Sequence, residues 1–376
     1  MAHGRGVADA APAPRPAIPP APARGGATPW TIGVEQQFLL VDARTREPVS
    51  RNATVSAADG QPVASAIARG PYSGVTALGD RLRDTRRRLV RAAWARGCRL
   101  VATGTAPLSA ARDGRDTRAE PGTGDRAADG DTYGCHIHMG PFDADTAIEI
   151  SNRFRPWLPA LLALTANSPV RHNADTGYAS SRYLRRSTTS PVSGPPPLFD
   201  SPTEYRQLTR ALISSGLVAR SDMIRWDLRV APLLPSLELH MPDIAGTVDE
   251  LTLLADLCLA LVRTAIADAE RGIPPPRPPS ALLRAACLRA ATDGLRGMGI
   301  ALSDGALVPA WAPVNDLLRH VAPALDAHGR AAIVAKQVAW LRAEGGGADR
   351  QRRIFEHTHD ARRLVDLLAE QTESAW

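Results

Sequence analysis

Thr31-Ile-Gly-Val-Glu35-Gln36-Gln37-Phe-Leu-Leu-Val-Asp42 is the first stretch of the chain with the pattern of a buried β-strand. Its apolar residues are strand formers, but three long polar side chains stand in succession at its centre. Neighbouring side chains of a strand point to opposite faces, so Glu35 and Gln37 share one face and Gln36 points to the other. Because a buried carboxylate is costly without a partner, the stretch predicts either a solvated edge strand or a strand that lines a polar site.

The composition is that of an ordinary globular protein and excludes several functions. The 376 residues are 44% hydrophobic and 22% charged, which suits one large domain or two closely joined ones. The formal net charge is +6, but Lys336 is the single lysine and the arginines are scattered, so we expect no nucleic-acid partner. No apolar run is long enough to predict a membrane span, and the four cysteines show no metal-site or disulfide spacing. We expect a cytoplasmic protein that acts on small molecules.

The distribution of sequence patterns predicts an α+β protein. Residues 1–28 are rich in Ala and Pro, lack the apolar core of a signal peptide, and are predicted to form a disordered extension. Residues 29–376 are predicted to form a single catalytic domain that is sheet-rich over 29–245 and helical over 246–376. We expect an antiparallel β-sheet that forms a concave cup and is backed by helices. Segment 109–131 is polar and Gly-rich, and a long loop of this kind is often a lid.

Local patterns predict the individual elements. Apolar residues at helical spacing predict helices at 78–98, 143–166, 201–217, 248–271, 282–295, 314–325, 331–343 and 361–371. Alternation and turn chemistry predict further strands at 49–55, 62–68, 99–105, 133–140, 223–229 and 236–241. In the first of these helices Trp94 is expected on the apolar side. Residues 345–353 are predicted to be a basic turn.

Three of the predicted strands carry the same arrangement of polar residues. Each places two polar side chains two positions apart, and therefore on one face: Glu35 with Gln37, His136 with His138, and Glu238 with His240. Acidic and imidazole groups on a concave sheet would suit Mg²⁺ ions that hold a polyphosphate. A single His pair is more often a surface feature, but recurrence on three strands favours a functional site.

Other catalytic motifs do not occur in the sequence. There is no GxxxxGK[ST] loop, GxGxxG, HExxH or GxSxG, so P-loop, Rossmann, zincin and α/β-hydrolase chemistry have no support. Cys135 stands beside His136, but its side chain is expected on the opposite face of the strand from both histidines. A thiol nucleophile is therefore disfavoured.

Several blocks of the sequence resemble those of a known family. They are, in chain order, Gly33-Val-Glu-Gln-Gln-Phe-Leu-Leu-Val-Asp42, Ala102-Thr-Gly-Thr-Ala-Pro107, Cys135-His-Ile-His-Met-Gly140, Arg155-Pro-Trp-Leu-Pro-Ala-Leu-Leu-Ala-Leu-Thr-Ala-Asn-Ser-Pro169, Asp175-Thr-Gly-Tyr-Ala-Ser180, Trp226-Asp-Leu-Arg229, Leu237-Glu-Leu-His-Met-Pro-Asp243 and Gly347-Ala-Asp-Arg-Gln-Arg352. Over about 31–371 the chain is similar to the carboxylate–amine ligase family that includes type 2 glutamate–cysteine ligases. The resemblance implies a glutamine-synthetase-like fold whose cup binds ATP and Mg²⁺. There a carboxylate is activated as an acyl phosphate and captured by an amine.

The resemblance also implies roles for individual residues. The expected metal ligands are Glu35, His138 and Glu238, with Gln37 as a weaker candidate. The expected cofactor contacts are His136, His138 and Arg350. The expected catalytic residues are Glu35, Glu238 and Arg229, the last as an anion contact. His240 is added for its own chemistry, as an acid–base group beside Glu238.

The sequence departs from the family pattern at four of the positions that matter most. The family usually reads Gly-Val-Glu-Glu-Glu-Phe in the first strand, where this chain has Gln36 and Gln37 in place of two acids. Ala66 is aligned with a glutamate of the third strand, and His240 replaces an arginine. The loss of carboxylates would leave a cluster of Mg²⁺ ions poorly neutralised.

These departures leave three functions open. The first is an ATP-dependent ligase that joins a carboxylate to an amine through an acyl phosphate, in a specialised secondary-metabolite or thiol pathway. The second is an ATP-independent acyl-transfer, cyclisation or hydrolysis enzyme, with His138, Glu238 and His240 as acid–base groups. The third is a non-catalytic paralogue. A homo-oligomer and a pairing with a ligase paralogue are both compatible with the sequence.

Overall fold

The computed structural model describes residues 31–49, 65–72, 74–108, 132–190, 192–231 and 236–374, with the backbone alone for 65–72. Its strands are β1 Thr31–Gln37, β2 Leu39–Asp42, β3 Ser65–Tyr72, β4 Cys98–Val101, β5 Cys135–Gly140, β6 Val170–Arg171, β7 Ala174–Asp175, β8 Ser193–Gly194, β9 Arg225–Trp226, β10 Leu228–Val230, β11 Leu237–Leu239, β12 Met298–Ile300 and β13 Leu307–Pro309. Its helices are α1 Val75–Trp94, α2 Ala144–Phe154, α3 Leu158–Thr165, α4 Ser181–Thr189, α5 Pro202–Ser214, α6 Val248–Glu270, α7 Ser280–Asp293, α8 Trp311–Ala327, α9 Ala331–Glu344, α10 Gly347–Thr358 and α11 Ala361–Ser374. Three sequence predictions lie largely outside these residues, namely the extension 1–28, the strand 49–55 and the loop 109–131.

Among the described residues, the main sheet has five strands in the order β10-β11-β5-β1-β3, and all its neighbouring strands are antiparallel. One face of the sheet is apolar, because alternate residues of β1, β5 and β11 are buried in one cluster with residues of α1, α2, α3 and α6. The predicted α+β architecture, with an antiparallel sheet backed by helices and a helical C-terminal third, is confirmed.

The central helix of this backing layer is α6. It begins with a capping box, in which the Thr247 hydroxyl accepts from the Glu250 backbone N–H and the Glu250 carboxylate accepts from the Thr247 backbone N–H. Most of its residues up to Ala265 are buried on all sides, as expected for a helix inside a core rather than on a surface. In the described part of the chain, no helix combines the length and apolar character needed to cross a membrane.

The helix-covered face of β1 contains a buried charge with neutral partners. Gln36 and Arg86 are both 0% exposed. Arg86 Nε and Nη2 donate to Gln36 Oε1 at 3.0 and 2.5 Å, and its other bonds go to the carbonyls of Gly246 and Ala245. Burial lowers the pKa of Arg86 to about 10. Gln36 Nε2 has no hydrogen-bond partner among the described residues. An amide therefore occupies a position whose geometry suits a carboxylate.

The strand register corrects two of the predicted metal positions. In the β1–β3 pair, Gln36 lies opposite Ala66, whereas Glu35 lies opposite Ile67. Directly opposite residues of antiparallel strands share a face, so position 66 belongs to the helix-covered face that contains Gln36. The prediction that Gln36 and Ala66 replace metal ligands is therefore wrong, because both positions lie on the face away from Glu35.

Three further local predictions are corrected by the structure. The predicted basic turn is the start of α10, whose first turn is capped because Gly346 N–H donates to the Asp349 carboxylate at 2.9 Å. Helix α4 and the β12–β13 hairpin were not predicted, since α4 has nine residues and each hairpin strand three, and such short stretches give weak local signals. Trp94 is 49% exposed, and its ring is covered by the guanidinium of Arg99 at 5.5 Å.

Among the described residues, the hydrogen-bond partners of Arg86 are all neutral, which allows a test of the residue at position 36. We expect Gln36→Glu to raise the free energy of unfolding at pH 7 by about 1–3 kcal/mol, because a carboxylate would form two charge-assisted bonds to a cation that is already buried. Gln36→Ala should lower it, because the guanidinium would lose two of its hydrogen bonds. Denaturant unfolding of the two variants measures both effects, and equal or lower stability of Gln36→Glu would contradict the account.

Candidate active site

The predicted polar residues come together on the sheet face opposite the helices. We call this surface the polar face, and it comprises Glu35, Gln37, His136, His138, Arg229, Glu238 and His240. Strand pairing sets their positions: His138 and Arg229 lie on either side of Glu238, and Glu35 lies opposite His136. His240 follows two residues after Glu238, and its ring centroid is 4.3 Å from that of His136. The sequence prediction that the three polar pairs share one face is confirmed for these residues.

Glu238 is the centre of the polar face. Its Oε2 accepts from Arg229 Nη2 at 2.6 Å and lies 3.0 Å from His240 Nε2. Its Oε1 lies 3.5 Å from His138 Nδ1. Burial acts to raise the pKa of Glu238, but the histidine contacts and the charge of Arg229 outweigh it and hold the pKa well below its ordinary value. The carboxylate is therefore ionised at neutral pH and is engaged at both oxygens.

The second acid of the polar face lies beside the histidine pair. Glu35 Oε2 is 3.9 Å from His136 Nδ1. Burial lowers the pKa of His136, although Glu35 opposes this effect. Burial also holds the pKa of His240 well below its ordinary value, and the neighbouring His136 adds to the effect. Both imidazoles are therefore neutral at pH 7, and His240 is a neutral base in contact with an ionised carboxylate.

A buried group of residues below the polar face holds the backbone of His240. The His240 backbone N–H donates to the Asp227 carbonyl at 2.8 Å, and the Arg186 guanidinium donates to the His240 carbonyl. The Asp227 carboxylate accepts from the Tyr183 hydroxyl at 2.8 Å, and both side chains are buried. The sequence patterns did not predict a role for Asp227, Tyr183 or Arg186. A signal was present for Asp227, because a charged residue in the centre of an apolar strand pattern requires a partner.

Two other predicted site residues have structural partners. Gln37 Oε1 accepts from the Gly134 backbone N–H at 3.4 Å, so this amide contacts the start of β5. Arg350 donates to the Glu250 carboxylate at 2.6 Å and to the Gly345 carbonyl at 2.7 Å. Glu250 belongs to the capping box of α6, on the helical side of the sheet. The structure therefore does not bring Arg350 to the polar face, where a cofactor contact was predicted.

The polar face does not fit the predicted metal site at Glu35, His138 and Glu238. Mg²⁺ requires oxygen ligands that are free to coordinate, and both oxygens of Glu238 are engaged. A cation at Oε2 would also lie against the guanidinium of Arg229. In the described ranges, no group of three or more His, Cys, Asp or Glu side chains is arranged to hold a metal ion.

The thiol next to the histidines is directed away from them. Cys135 is buried in the apolar core of the sheet, on the face opposite His136 and His138. Burial raises the pKa of its thiol to about 12. The prediction that Cys135 is not a nucleophile agrees with this geometry.

Known proteins are similar to this chain over most of its length. A sequence profile described as Glutamate-cysteine ligase family 2 matches residues 31–368. A candidate glutamate–cysteine ligase 2 of Salinispora arenicola is 40% identical over 366 residues, which cover 92% of this chain and 96% of the relative. A candidate glutamate–cysteine ligase 2-1 of Saccharopolyspora erythraea is 37% identical over 356 residues, with coverages of 91% and 94%.

Solved structures share the fold at low sequence identity. A glutamate–cysteine ligase from Francisella tularensis in complex with AMP has a TM-score of 0.65 and 10% identity, with 92% of this chain and 89% of that chain covered. A bifunctional glutathione synthetase from Pasteurella multocida has a TM-score of 0.59 and 12% identity, with coverages of 92% and 51%. These likenesses establish the architecture.

The ion pair between Arg229 and Glu238 allows a test of what limits metal binding at the polar face. We expect Arg229→Ala to increase the affinity for Mn²⁺ about tenfold, because the variant removes a positive charge from beside Glu238 Oε2 and about 1.4 kcal/mol corresponds to a factor of ten. Titration of Mn²⁺ followed by electron paramagnetic resonance measures the affinity. Arg220→Ala, which removes an exposed arginine paired with Asp222, is the control. An unchanged affinity for Arg229→Ala would show that the ion pair does not limit metal binding.

The buried carboxylate of Asp227 should make the free energy of unfolding depend on pH. Burial raises its pKa from 3.8 to about 6, so between pH 4 and pH 6 the native state binds more protons than the unfolded state and stability falls as the pH rises. Asp227→Asn abolishes this fall. We expect the variant to gain up to about 3 kcal/mol relative to the unmodified protein between pH 4.5 and pH 7.5. Unfolding at both pH values measures the gain, and Asp304→Asn, at an exposed position, should show none.

Proposed function

This chain belongs to the glutamate–cysteine ligase family 2, and from that premise we propose that it joins a carboxylate to an amine with ATP as the energy source. Family membership makes it a ligase of the carboxylate–amine type. The use of ATP, the substrates and the pathway belong to the proposal. Small-molecule carboxylate and amine substrates, together with ATP, suit an enzyme of the cytoplasm.

The observation that carries the proposal is the row of Arg229, Glu238 and His138 across three neighbouring strands. A guanidinium and an imidazole at fixed positions on rigid strands can bind and orient the oxygens of a carboxylate or phosphate. Arg229 is mostly buried, so its interaction with an anion is stronger than it would be in water. An entering anion would compete with Glu238 for this guanidinium.

The reaction consists of two displacements. A carboxylate oxygen of the first substrate attacks the γ-phosphorus of ATP, the bond from phosphorus to the bridging oxygen breaks, and ADP leaves. The amine nitrogen of the second substrate then attacks the acyl carbon, and inorganic phosphate leaves with its bonding electron pair. Arg229 would stabilise the negative charge that develops on the transferring phosphoryl group. The residues of this chain thus act chiefly by positioning and by charge.

The amine must lose a proton during the second step. His240 is suited to accept it, because burial keeps the imidazole neutral and Glu238 at 3.0 Å stabilises the imidazolium that forms. Glutamate and cysteine, which the names of the relatives mention, are the first substrates to test. A substrate from a specialised secondary-metabolite or thiol pathway is the wider expectation.

A second candidate function is favoured by the same His240–Glu238 pair. A neutral imidazole that is oriented by a carboxylate is a general base that requires neither ATP nor metal. An ATP-independent acyl transfer, cyclisation or hydrolysis would use this pair on an activated substrate. The two candidates differ in their products, since only the ligase forms ADP.

The test is product formation across a panel of carboxylates and amines. We expect ADP to appear only when ATP and both substrates are present, and His240→Gln to lower kcat about 100-fold through loss of the general base. His328→Gln, at an exposed position, is the matched control. Product without ADP, unaffected by a chelator, would select the second candidate. An equal kcat for His240→Gln would remove His240 from the mechanism.

A further inference from the structure

A groove separate from the polar face lies among α2, α5 and α6. Its volume is about 570 Å³, within the range of about 300–1,000 Å³ that is typical of binding clefts. It is lined by residues of α2, by the loop that leads into α5, by the C-terminal part of α6 and by the segment after it. None of the polar-face residues lines it. The groove therefore lies outside the set of residues assigned to the proposed reaction.

The groove combines an apolar floor with an acidic rim. Ile148, Phe199 and Ala265 of its lining are buried apolar residues. The described residues that line the groove include four acids, Asp145, Glu149, Asp200 and Glu270, and one cation, Arg277. Two of these acids have cationic partners, because Asp200 lies 3.4 Å from Arg277 and Glu149 lies 2.6 Å from Arg153. Among the described residues, no cation is paired with Asp145 or Glu270. The groove is thus complementary to a segment with apolar and basic residues.

The N-terminal segment of this chain has that composition. Residues 1–30 contain three arginines, Arg5, Arg15 and Arg24, against a single acid, Asp9. Between Pro12 and Pro22 the sequence is Pro-Ala-Pro-Arg-Pro-Ala-Ile-Pro-Pro-Ala-Pro, with Ile18 as its largest apolar residue. Proline-rich segments bind grooves at low entropic cost, because proline restricts the unbound chain.

The chain enters the sheet close to the groove. Thr31, the first residue of β1, pairs with Gly140, and its hydroxyl donates to the Gly140 carbonyl at 3.1 Å. Asp145, which lines the groove, follows Gly140 by five residues, so the two Cα atoms are at most about 17 Å apart. Arg24 precedes Thr31 by seven positions, and these seven steps of the chain can span about 24 Å. The basic segment can therefore reach the groove within one molecule.

We propose that residues 12–24 of the chain bind in the groove of the same molecule, with their apolar side chains on its floor and Arg15 and Arg24 beside Asp145 and Glu270. The bound segment would fix the start of β1, which carries Glu35 four residues later. The groove and the extension thus form an internal docking site on the helical side of the molecule. This proposal is independent of the reaction at the polar face.

Distances between two spin labels on the full-length chain test the proposal. All four native cysteines are buried, so labels can be placed on introduced cysteines. We expect Ala17→Cys with Thr203→Cys, at the rim of the groove, to give one narrow distance distribution at low salt. High salt should broaden it, because exposed ion pairs are screened. Ala17→Cys with Glu356→Cys, at an exposed position of α10 outside the groove lining, is the reference pair. A broad distribution for the rim pair at low salt would overturn the proposal.

Charge variants and spin dilution complete the test. Asp145→Asn with Glu270→Gln should lower the ratio of bound to free segment about threefold to tenfold, because two exposed ion pairs are lost. Asp304→Asn with Glu356→Gln changes the charge equally at exposed positions outside the groove lining and should leave the ratio unchanged. Dilution with unlabelled protein should not alter the short distance. Its loss on dilution would identify a second copy as the occupant, and equal ratios for both double variants would rule out the charge contacts.

Discussion

The antiparallel register between β1, β5 and β11 is the constraint on which the site depends. Side chains alternate between two faces, so one register buries Ile32, Val34, Ile137 and Met139 and at the same time exposes the polar residues between them. A shift of the strand register by one residue would turn the acids and imidazoles toward the helices. Their burial there without partners would cost desolvation free energy and would oppose the shift. The burial of the apolar face thus sets the geometry of the polar face.

Much of this arrangement is predictable from the sequence, because alternation and helical spacing are local signals. They identify the strands with Glu35, His136 and Glu238, and they identify α6 by its uninterrupted apolar spacing. Contacts between different segments are not local signals, and three of them determine which predicted residues lie at the site and which do not. Arg86 binds Gln36, Arg350 binds Glu250, and Arg229 binds Glu238, yet no spacing rule connects these residues. The family resemblance likewise gives a position for Ala66 but no face, which only the pairing of β3 with β1 supplies.

The two glutamines of β1 have different physical consequences although they are adjacent. Gln36 lies against a buried guanidinium and affects the stability of the core, whereas Gln37 lies on the polar face and contacts the start of β5. An acid lost at position 37 changes the charge available to a ligand, while an acid lost at position 36 leaves that charge unchanged. The chemistry of the polar face therefore depends on the carboxylates of Glu35 and Glu238 and on their basic neighbours. Among these neighbours, Arg229 carries a fixed positive charge that can attract an anion.

The buried cysteines have a consequence for the kind of substrate the protein can tolerate. All four thiols are free and buried, and the one on β5 is directed into the core behind the histidines. Thiol–disulfide exchange requires an accessible thiolate, which neither the burial nor the raised pKa of Cys135 permits. A substrate with its own thiol, or the disulfide it forms on oxidation, can therefore occupy the polar face without forming a mixed disulfide with the chain. The chain itself would therefore form no mixed disulfide with a thiol compound, even under oxidising conditions.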